Sequence, residues 1–431
     1  MGKRKGKKKS RPIMVFITAL FGFVTVGLLI LGLLRWTENT TSSTKNGFTD
    51  VVRAEEKPGA VENLQKKDAL LWESIPEQQD SEETMASEEA DLCIYGEDGR
   101  ILQKALPNQE EISLLFAGDI LFDDGYAPMG KLRSRQNGIL DCFSPETFEI
   151  MRSADFFMLN NEFPYTKRGT PTEGKTFTFR AKPENVTMLN EMGVDLVSLA
   201  NNHAYDYGEV SLLDSMDTLI ADGMPFVGAG HNLSEAVQPF YLVNDDLKIA
   251  IISGTQIERQ DHPNTKGATD TTPGVFRCWN ADRIVEEVQR AKAEGYYTIC
   301  FVHWGTEKTT ELDWAQLDLA KKLTDCGADM IIGGHPHVLQ GIEIRNQVPI
   351  IYSLGNYWFN SASLDTCLVK VTFTKGKLSS WQFIPARQEN CYTKVLDGSE
   401  KARVISYMRS LSPNVVIDDD GYLDIRSIQA E

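Results

Sequence analysis

Cysteine is scarce in this sequence: there are seven in 431 residues, and no two of them form a C-x-x-C pair. Their number is odd and their positions are scattered, which excludes the spacing of a zinc ribbon and of a disulfide framework. The G-x-S-x-G pattern of a nucleophile elbow is also missing. A serine hydrolase therefore has little support.

Basic residues are few beyond the first eleven positions. Residues 1–11 carry seven basic groups and no acid, while the net charge of the whole chain is −17, so the remaining residues together carry −24. A surface this acidic repels nucleic acid, whose phosphates need lysine and arginine. It suits cation binding, or simply high solubility. We therefore expect no nucleic-acid partner.

One long apolar run is present, at residues 13–34. Its 22 residues contain no charge, and at about 1.5 Å each they span the roughly 30 Å hydrocarbon core of a bilayer. A cleaved signal peptide is the alternative, but the run is longer than the usual apolar segment and no small-x-small site follows closely. The basic residues before it predict a cytoplasmic tail (1–12), a single transmembrane helix in the cell membrane (13–35) and an extracellular remainder.

Composition divides the rest of the chain into three parts. Residues 36–110 are rich in Ser, Thr, Asn, Glu and Lys. They predict a low-complexity acidic stalk, because such a stretch buries little apolar surface. From residue 111 apolar strand-like runs alternate with helical patterns, which predicts an α/β domain over residues 111–391. Residues 392–431 are weakly patterned and are predicted to form a C-terminal extension.

Polar side chains collect where five predicted strands end. Because ligands of open α/β sheets bind outside the carboxyl ends of the strands, these side chains are expected to face one point. Any one of them could instead be a satisfied loop residue or a helix cap, but the whole set favours a metal or catalytic centre. Carboxylate, amide and imidazole groups together suit Mn, Fe or Zn. The set comprises Asp119, Asn161, Glu162, Asn201, Asn202, His203, Asp206, His303, His335 and His337.

A phosphate-loop match occurs at residues 169–176, which fit G-x-x-x-x-G-K-T letter for letter. A functional phosphate loop must follow a strand and open a helix, so that backbone amides meet the phosphate. Here a period-two pattern and then Pro183 follow the match. We therefore reject the nucleotide-binding interpretation. His231 and His262 fit no site pattern and are predicted to be surface residues.

Six short motifs in order make the chain resemble the poly-γ-glutamate capsule biosynthesis CapA family, a branch of the calcineurin-like metallophosphoesterase superfamily. The resemblance covers roughly residues 112–390 and implies an α/β/β/α sandwich of two sheets flanked by helices. The motifs are Phe116-Ala-Gly-Asp119, Leu159-Asn-Asn-Glu162, Asn201-Asn-His203 with Asp206-Tyr-Gly208, His303-Trp-Gly-Thr-Glu307, Gly334-His-Pro-His337 and Tyr352-Ser-Leu-Gly-Asn356.

The resemblance also implies a role for each site residue. One or two divalent ions, Mn, Fe or Zn, are expected. His203 resembles the superfamily's acid or transition-state stabiliser, and Asp206 is assigned with it to catalysis. Leu121 stands where the superfamily has a further histidine ligand, so one of two metals loses a ligand and two-metal hydrolysis is in doubt. The implied ligands are Asp119, Glu162, Asn202, His303, His335 and His337.

Two functions from different classes stay open. The first is a metal-dependent hydrolase or transferase at the cell surface, acting on a phosphoester or a bond of the capsule polymer. The second is a non-catalytic accessory subunit of the polymer synthesis and export complex. The expected partners are the membrane, the anionic poly-γ-glutamate polymer and synthase or export subunits. Lys167, Arg168, Lys175 and Arg180 are candidate contacts to the polymer, although a solvated loop is the favoured explanation for them.

Overall fold

The computed structural model describes residues 93–257 and 266–428. The predicted cytoplasmic tail, the transmembrane helix and the stalk as far as residue 92 lie outside these ranges, as does His262. Over the two described stretches, none of the helices has the length and hydropathy needed to cross a bilayer.

The described residues form more β-strands than α-helices. The strands are β1 (Cys93–Tyr95), β2 (Ile101–Ala105), β3 (Glu111–Ile120), β4 (Phe156–Asn161), β5 (Leu196–Ser198), β6 (Phe226–Val227), β7 (Ala229–Gly230), β8 (Phe240–Val243), β9 (Lys248–Thr255), β10 (Gly274–Val275), β11 (Tyr297–His303), β12 (Met330–Gly334), β13 (Leu339–Arg345), β14 (Val348–Leu354), β15 (Asn356–Trp358), β16 (Leu364–Thr374), β17 (Lys377–Glu389) and β18 (Tyr392–Val395). The α-helices are α1 (Ala127–Leu132), α2 (Pro145–Ser153), α3 (Thr187–Met192), α4 (Glu209–Asp222), α5 (Leu233–Ala236), α6 (Asp282–Ala293), α7 (Trp314–Asp325) and α8 (Gly398–Leu411).

Two large mixed sheets form the domain. The first has the order β1-β2-β8-β9-β11-β12-β14-β13, and its central strands β9, β11, β12 and β14 are parallel. The second has the order β18-β17-β16-β3-β4-β5-β6, with β15 pairing to β3, and β3 to β6 are parallel. A small third sheet pairs β10 with β7. Parallel central strands place several carboxyl ends at one edge of each sheet.

Side-chain alternation along the strands builds four layers. Leu114 and Phe116 of β3 pack with Ile251 and Phe301 of the other sheet in one apolar core between the sheets. Residues of opposite parity, such as Leu115, face the helices on the outside. A third core lies between the outer face of the first sheet and helices α6 and α7. Because the central strands bury both faces, they are continuous apolar runs. The predicted α/β architecture of two sheets flanked by helices is confirmed.

The local predictions hold around the loops that matter for the site. The β16–β17 hairpin turns at Lys375 and Gly376, both of which have positive φ. The segment after Lys175 contains no helix before the short 3-10 turn at Pro183–Val186. The phosphate-loop match therefore lacks the helix that it needs, as predicted from its sequence context.

Both predicted domain boundaries need correction. The stalk was expected to reach residue 110, but β1 and β2 already belong to the first sheet, where Gln103 of β2 pairs with Tyr241 of β8. The predicted extension at 392–431 is also part of the domain, because Val404 and Met408 of α8 are buried in the core between the sheets. In both segments, contacts with distant parts of the chain order residues whose local sequence pattern is weak.

Candidate metal centre

The candidate centre lies where strands of both sheets end. Asp119 lies near the end of β3 and Glu162 directly follows β4. His303 is the last residue of β11, and His335 directly follows β12. His203 lies in the loop that follows β5. The two sheets thus bring groups far apart in sequence to one point, as the strand-end pattern predicts.

The backbone around these groups is constrained. His335 has φ 96° and His337 has φ 59°, in the left-handed region that non-glycine residues rarely occupy. Such conformations persist only where the surrounding structure holds them, and they concentrate at functional sites. Gly118, beside Asp119, is required for a different reason: a Cβ there would lie 1.8 Å from the carbonyl oxygen of Gly355. The sequence Gly118-Asp119 is thus fixed by close backbone approach.

Two carboxylates form the floor of the centre. Asp119 and Glu162 are both fully buried. Asp119 Oδ2 and both carboxylate oxygens of Glu162 have no hydrogen-bond donor, although Asp119 Oδ2 lies 3.2 Å from His337 Nδ1. Burying a carboxylate without partners is costly, so a cation at this position would offset a large penalty. Burial, and then the charge of Asp119, raises the pKa of Glu162 well above its ordinary value.

Imidazole nitrogens face these carboxylates. His303 Nε2 lies 3.4 Å from Glu162 Oε1, 3.0 Å from His335 Nδ1 and 2.8 Å from Asn202 Oδ1. Burial lowers the pKa of His303 to about 3 and lowers that of His335 well below its ordinary value. Both rings are therefore neutral near pH 7, which is the form that binds metals.

His337 behaves differently from the other two histidines. Burial by itself lowers its pKa, but the adjacent Asp119 carboxylate outweighs burial, and the pKa lies above its ordinary value. Its Nδ1 atom also lies 2.8 Å from Asn356 Oδ1. The same pairing acts on Asp119: burial alone raises its pKa, but contact with His337 lowers it overall.

His203 is held by a buried chain of polar contacts. Its Nδ1 lies 2.7 Å from Asp206 Oδ2, and its Nε2 lies 4.0 Å from Glu162 Oε1. Lys175 Nζ donates hydrogen bonds to the other Asp206 oxygen and to the backbone carbonyl of Asn202. Burial lowers the pKa of His203, despite the opposing charge of Asp206. Asp206 thus orients the ring so that Nε2 faces the centre.

The eight residues to which the resemblance assigns a ligand or catalytic role lie together here. Two overlapping groups, Glu162–His303–His335 and Asp119–Glu162–His337, each offer three ligand atoms within 4.8 Å of one another. Asn202 joins them through its side-chain contact with His303. The residue types and the unpartnered carboxylate oxygens fit a divalent ion. Leu121, by contrast, is buried and offers no ligand atom.

Three further residues belong to the site but were not assigned to it from sequence. Asn160 donates to Asp119 Oδ1 at 2.7 Å, and it lies in the Leu159–Glu162 motif, which was the available signal. Asn356 lies in the last motif and contacts His337. Lys175 was weighed as a polymer contact and as a solvated loop residue, but its side chain is 5% exposed and paired to Asp206, so it belongs to neither kind of surface.

The other residues of the predicted basic set are paired as well. Lys167 contacts Glu184 at 2.8 Å, and Arg168 contacts Asp214. Arg180 lies over the ring of Tyr207 at 4.5 Å. His231, predicted to be a surface residue, has a side chain 40% exposed and is paired to Glu235.

Fold and site together define an α/β two-sheet protein with a buried carboxylate–imidazole centre at the ends of its strands. The sequence model of the bacterial capsule synthesis protein family PGA_cap matches residues 113–361. The chain belongs to this family, and the expected CapA-family relationship is confirmed.

The chain is also similar to named relatives. The chain is 28% identical over 283 residues to the PGA biosynthesis protein CapA of Bacillus subtilis, covering 64% of this chain and 72% of that protein. It is 27% identical over 252 residues to a Mycobacterium tuberculosis protein named "Probable polyglutamine synthesis accessory protein", covering 54% and 66%. Among solved structures, the Thermus thermophilus sulfate thiohydrolase SoxB matches with a TM-score of 0.35 and 14% identity, covering 71% of this chain and 61% of that one.

Proposed function

We propose that this chain is a membrane-anchored CapA-like protein of poly-γ-glutamate capsule synthesis or export, with a metal-dependent hydrolase-type site on a metallophosphoesterase-like sandwich. Family membership and the name of the Bacillus subtilis relative support the capsule process. One observation carries the metal site: the oxygens of Glu162 are fully buried without a donor and face imidazoles that burial keeps neutral.

The ion would be held by the six predicted ligands. Asp119 and Glu162 supply charge, Asn202 supplies an amide oxygen, and the imidazoles of His303, His335 and His337 complete a mixed set that suits Mn, Fe or Zn. When bound, such an ion supplies Lewis acidity that polarises a phosphoryl or carbonyl oxygen.

His203 is the residue proposed to move a proton. Asp206 accepts the hydrogen bond from its Nδ1, which leaves Nε2 facing the centre. When the ring is protonated on both nitrogens, the pKa lowered by burial makes it a strong acid, so that Nε2 could pass its proton to a leaving group while Nδ1 keeps its own proton on Asp206. Lys175 keeps Asp206 paired and hence keeps the ring oriented.

A second candidate function is that of a non-catalytic accessory subunit. Leu121 removes one ligand that the superfamily pattern contains, and the Mycobacterium tuberculosis relative is named as an accessory protein. Under this interpretation the centre stabilises the domain, and the extracellular surface contacts the polymer or the synthase and export subunits.

The membrane placement is proposed from the sequence of residues 13–34 and the basic residues before it. It predicts that proteases added to intact cells remove the domain and leave the N-terminal tail protected. Full protection of the domain in intact cells, with cleavage only after lysis, would contradict this topology.

Metal analysis of the full-length protein, purified in mild detergent, tests the central proposal. Wild type is loaded separately with Mn²⁺, Fe²⁺ and Zn²⁺, desalted and measured by elemental analysis. Close to stoichiometric metal is expected, with loss in Glu162→Gln and His335→Ala. Glu235→Gln, in a half-exposed group elsewhere, is the matched control and should retain metal.

Hydrolysis separates the two candidate functions once metal binding is established. Turnover of bis-p-nitrophenyl phosphate by wild type that disappears in His203→Ala, with metal retained, favours the hydrolase. Stoichiometric metal without turnover of this or other phosphoester and amide probes favours the accessory subunit. Absence of metal above background in wild type would overturn the metal site itself.

A further inference from the structure

A cavity of about 410 Å³ opens directly beside the candidate centre. Its wall includes His203 and His337, so it is continuous with the groups proposed to act on the substrate. Its size lies within the range of ligand-binding pockets, roughly 300–1,000 Å³. A substrate that reaches the two imidazoles must therefore lie in this cavity or pass through it.

Aromatic rings cover both imidazoles on the cavity side. The Phe179 ring lies 4.3 Å from the His203 ring, and the Phe359 ring lies 4.9 Å from the His337 ring, measured between centroids. The two phenyl rings meet edge to face at 5.6 Å. Tyr126 packs edge-on against Phe179 at 5.0 Å. These rings form a rigid apolar wall next to the reactive groups.

Aliphatic side chains extend this wall. Leu121, Val338 and Leu364 also line the cavity. Leu121 stands where the superfamily pattern has a histidine ligand, so the sequence departure adds apolar surface at the same place where it removes a ligand.

The charged side chains that line the cavity do not favour a charged ligand. Glu307 and Lys308 line the cavity together, so their opposite charges leave it without a net sign. Aromatic ring faces and the Glu307 carboxylate repel anions, and the ammonium group of Lys308 repels a cationic guest. The carboxylates of a γ-glutamate chain are therefore a poor match to this wall. A neutral apolar group is the guest that the surface fits.

We propose that this aromatic cavity binds an apolar, ring-sized substituent that the substrate carries next to the bond to be cleaved. The inference rests on the proposed hydrolase-type function. The proposed substrate has two parts. A polar reacting group lies at the centre, and an apolar group packs against Phe179 and Phe359.

Two anions that share a head group but differ in their substituent test the proposal. Phenylphosphonate and methylphosphonate are titrated by calorimetry into the full-length, Mn²⁺-loaded protein in mild detergent. Burial of the ring predicts that phenylphosphonate binds about tenfold more tightly. Equal affinities overturn the inference and leave the metal site in place. Failure of both anions to bind, with Mn²⁺ present in stoichiometric amount, overturns the proposed function as well.

A blocking variant shows whether the preference arises in this cavity. Ala362 lines the cavity on an exposed loop, so Ala362→Trp is expected to fill space without disturbing the core. The preference for phenylphosphonate should fall close to onefold. Ser361→Trp is the matched control, because Ser361 is equally exposed on the same loop and does not line the cavity. A tenfold preference that survives in Ala362→Trp would contradict the placement.

Discussion

Two clusters among the residues that the structure describes have the composition of a metal site, and they differ in burial. Asp119, Glu162 and the histidines around them form one; Asp98, His231 and Glu235 form the other, also with ligand atoms within 4.8 Å of one another. In the first, Glu162 is fully buried without a donor. In the second, every member is half-exposed.

Pairing separates the clusters further. His231 Nδ1 lies 2.8 Å from Glu235, and Asp98 lies 3.1 Å from the guanidinium of Arg100. Arg100 also lies 4.0 Å from Glu235, so its guanidinium already pairs with both carboxylates of this cluster. Both clusters therefore contain the same kinds of ligand. Of the two, only the buried cluster lacks a cation that neutralises its carboxylates.

The largest effect is expected from the ion pair that supports the buried cluster. Lys175→Met leaves the fully buried Asp206 carboxylate without its cation, which is expected to lower the free energy of unfolding by about 3–5 kcal/mol. Denaturant unfolding of the full-length protein measures it. Lys167→Met is the control, because its pair with Glu184 is 62% and 56% exposed and solvent screening should leave its removal with little effect. Equal losses in both variants would contradict the difference in burial.

Metal binding at the buried cluster should stabilise the whole protein against unfolding. A substitution in the other cluster should leave this stabilisation unchanged. At free Mn²⁺ roughly a thousandfold above its Kd, the free energy of unfolding is expected to rise by about 4 kcal/mol. Glu162→Gln should abolish the increase, and Glu235→Gln should keep it. Unfolding curves with Mn²⁺ and with chelator supply the comparison. An increase that depends on Glu235 would reverse our assignment of the two clusters.

Without metal, Glu162 should destabilise the fold as pH rises. Burial and the charge of Asp119 raise its folded-state pKa well above 4.5. The stability it contributes is therefore present below its unfolded-state pKa and is lost as pH rises towards the folded-state value. Glu162→Gln should become more stable than wild type with rising pH, by up to about 1.4 kcal/mol per pH unit. Unfolding in chelator from pH 5 to 8 tests the trend, and a constant difference would sink the argument.

Glu235→Gln should show a smaller effect of opposite sign. Burial alone raises the pKa of Glu235, but hydrogen bonds from His231 outweigh burial and lower it overall. Its stabilising contribution is then present above its unfolded-state pKa and is lost as pH falls through the folded-state value. The variant should be less stable than wild type at pH 7, by up to about 1 kcal/mol, with the difference disappearing on acidification. A difference that grows on acidification would be the contrary result.

Local sequence was enough to predict the strands that carry the site. Apolar runs at residues 113–117, 156–159, 298–303 and 330–332 lie within β3, β4, β11 and β12. Asp119, Glu162 and His335 follow three of those runs and His303 ends the fourth, and parallel pairing brings the carboxyl ends of the strands together within each sheet. The convergence was predictable because it depends on strand direction, which the alternation of strands and helices indicates.

Lys175 shows what local sequence could not reveal. It lies among polar residues typical of a solvated loop, and it is buried because that loop docks on the Asp206 segment, where Thr172 N donates to the Asp206 carbonyl at 2.8 Å. The strand at Ile101–Ala105 was missed for a similar reason, since its partner β8 lies more than a hundred residues along the chain.

The sequence by itself determined the family and the α/β class, and it named the candidate ligands, because motif order and apolar periodicity are written in neighbouring residues. Tertiary structure alone decided which candidate groups lack a partner, which cation is buried, and that aromatic rings line the approach to His203 and His337. The physical reason is that desolvation and pairing depend on atoms brought together from distant parts of the chain.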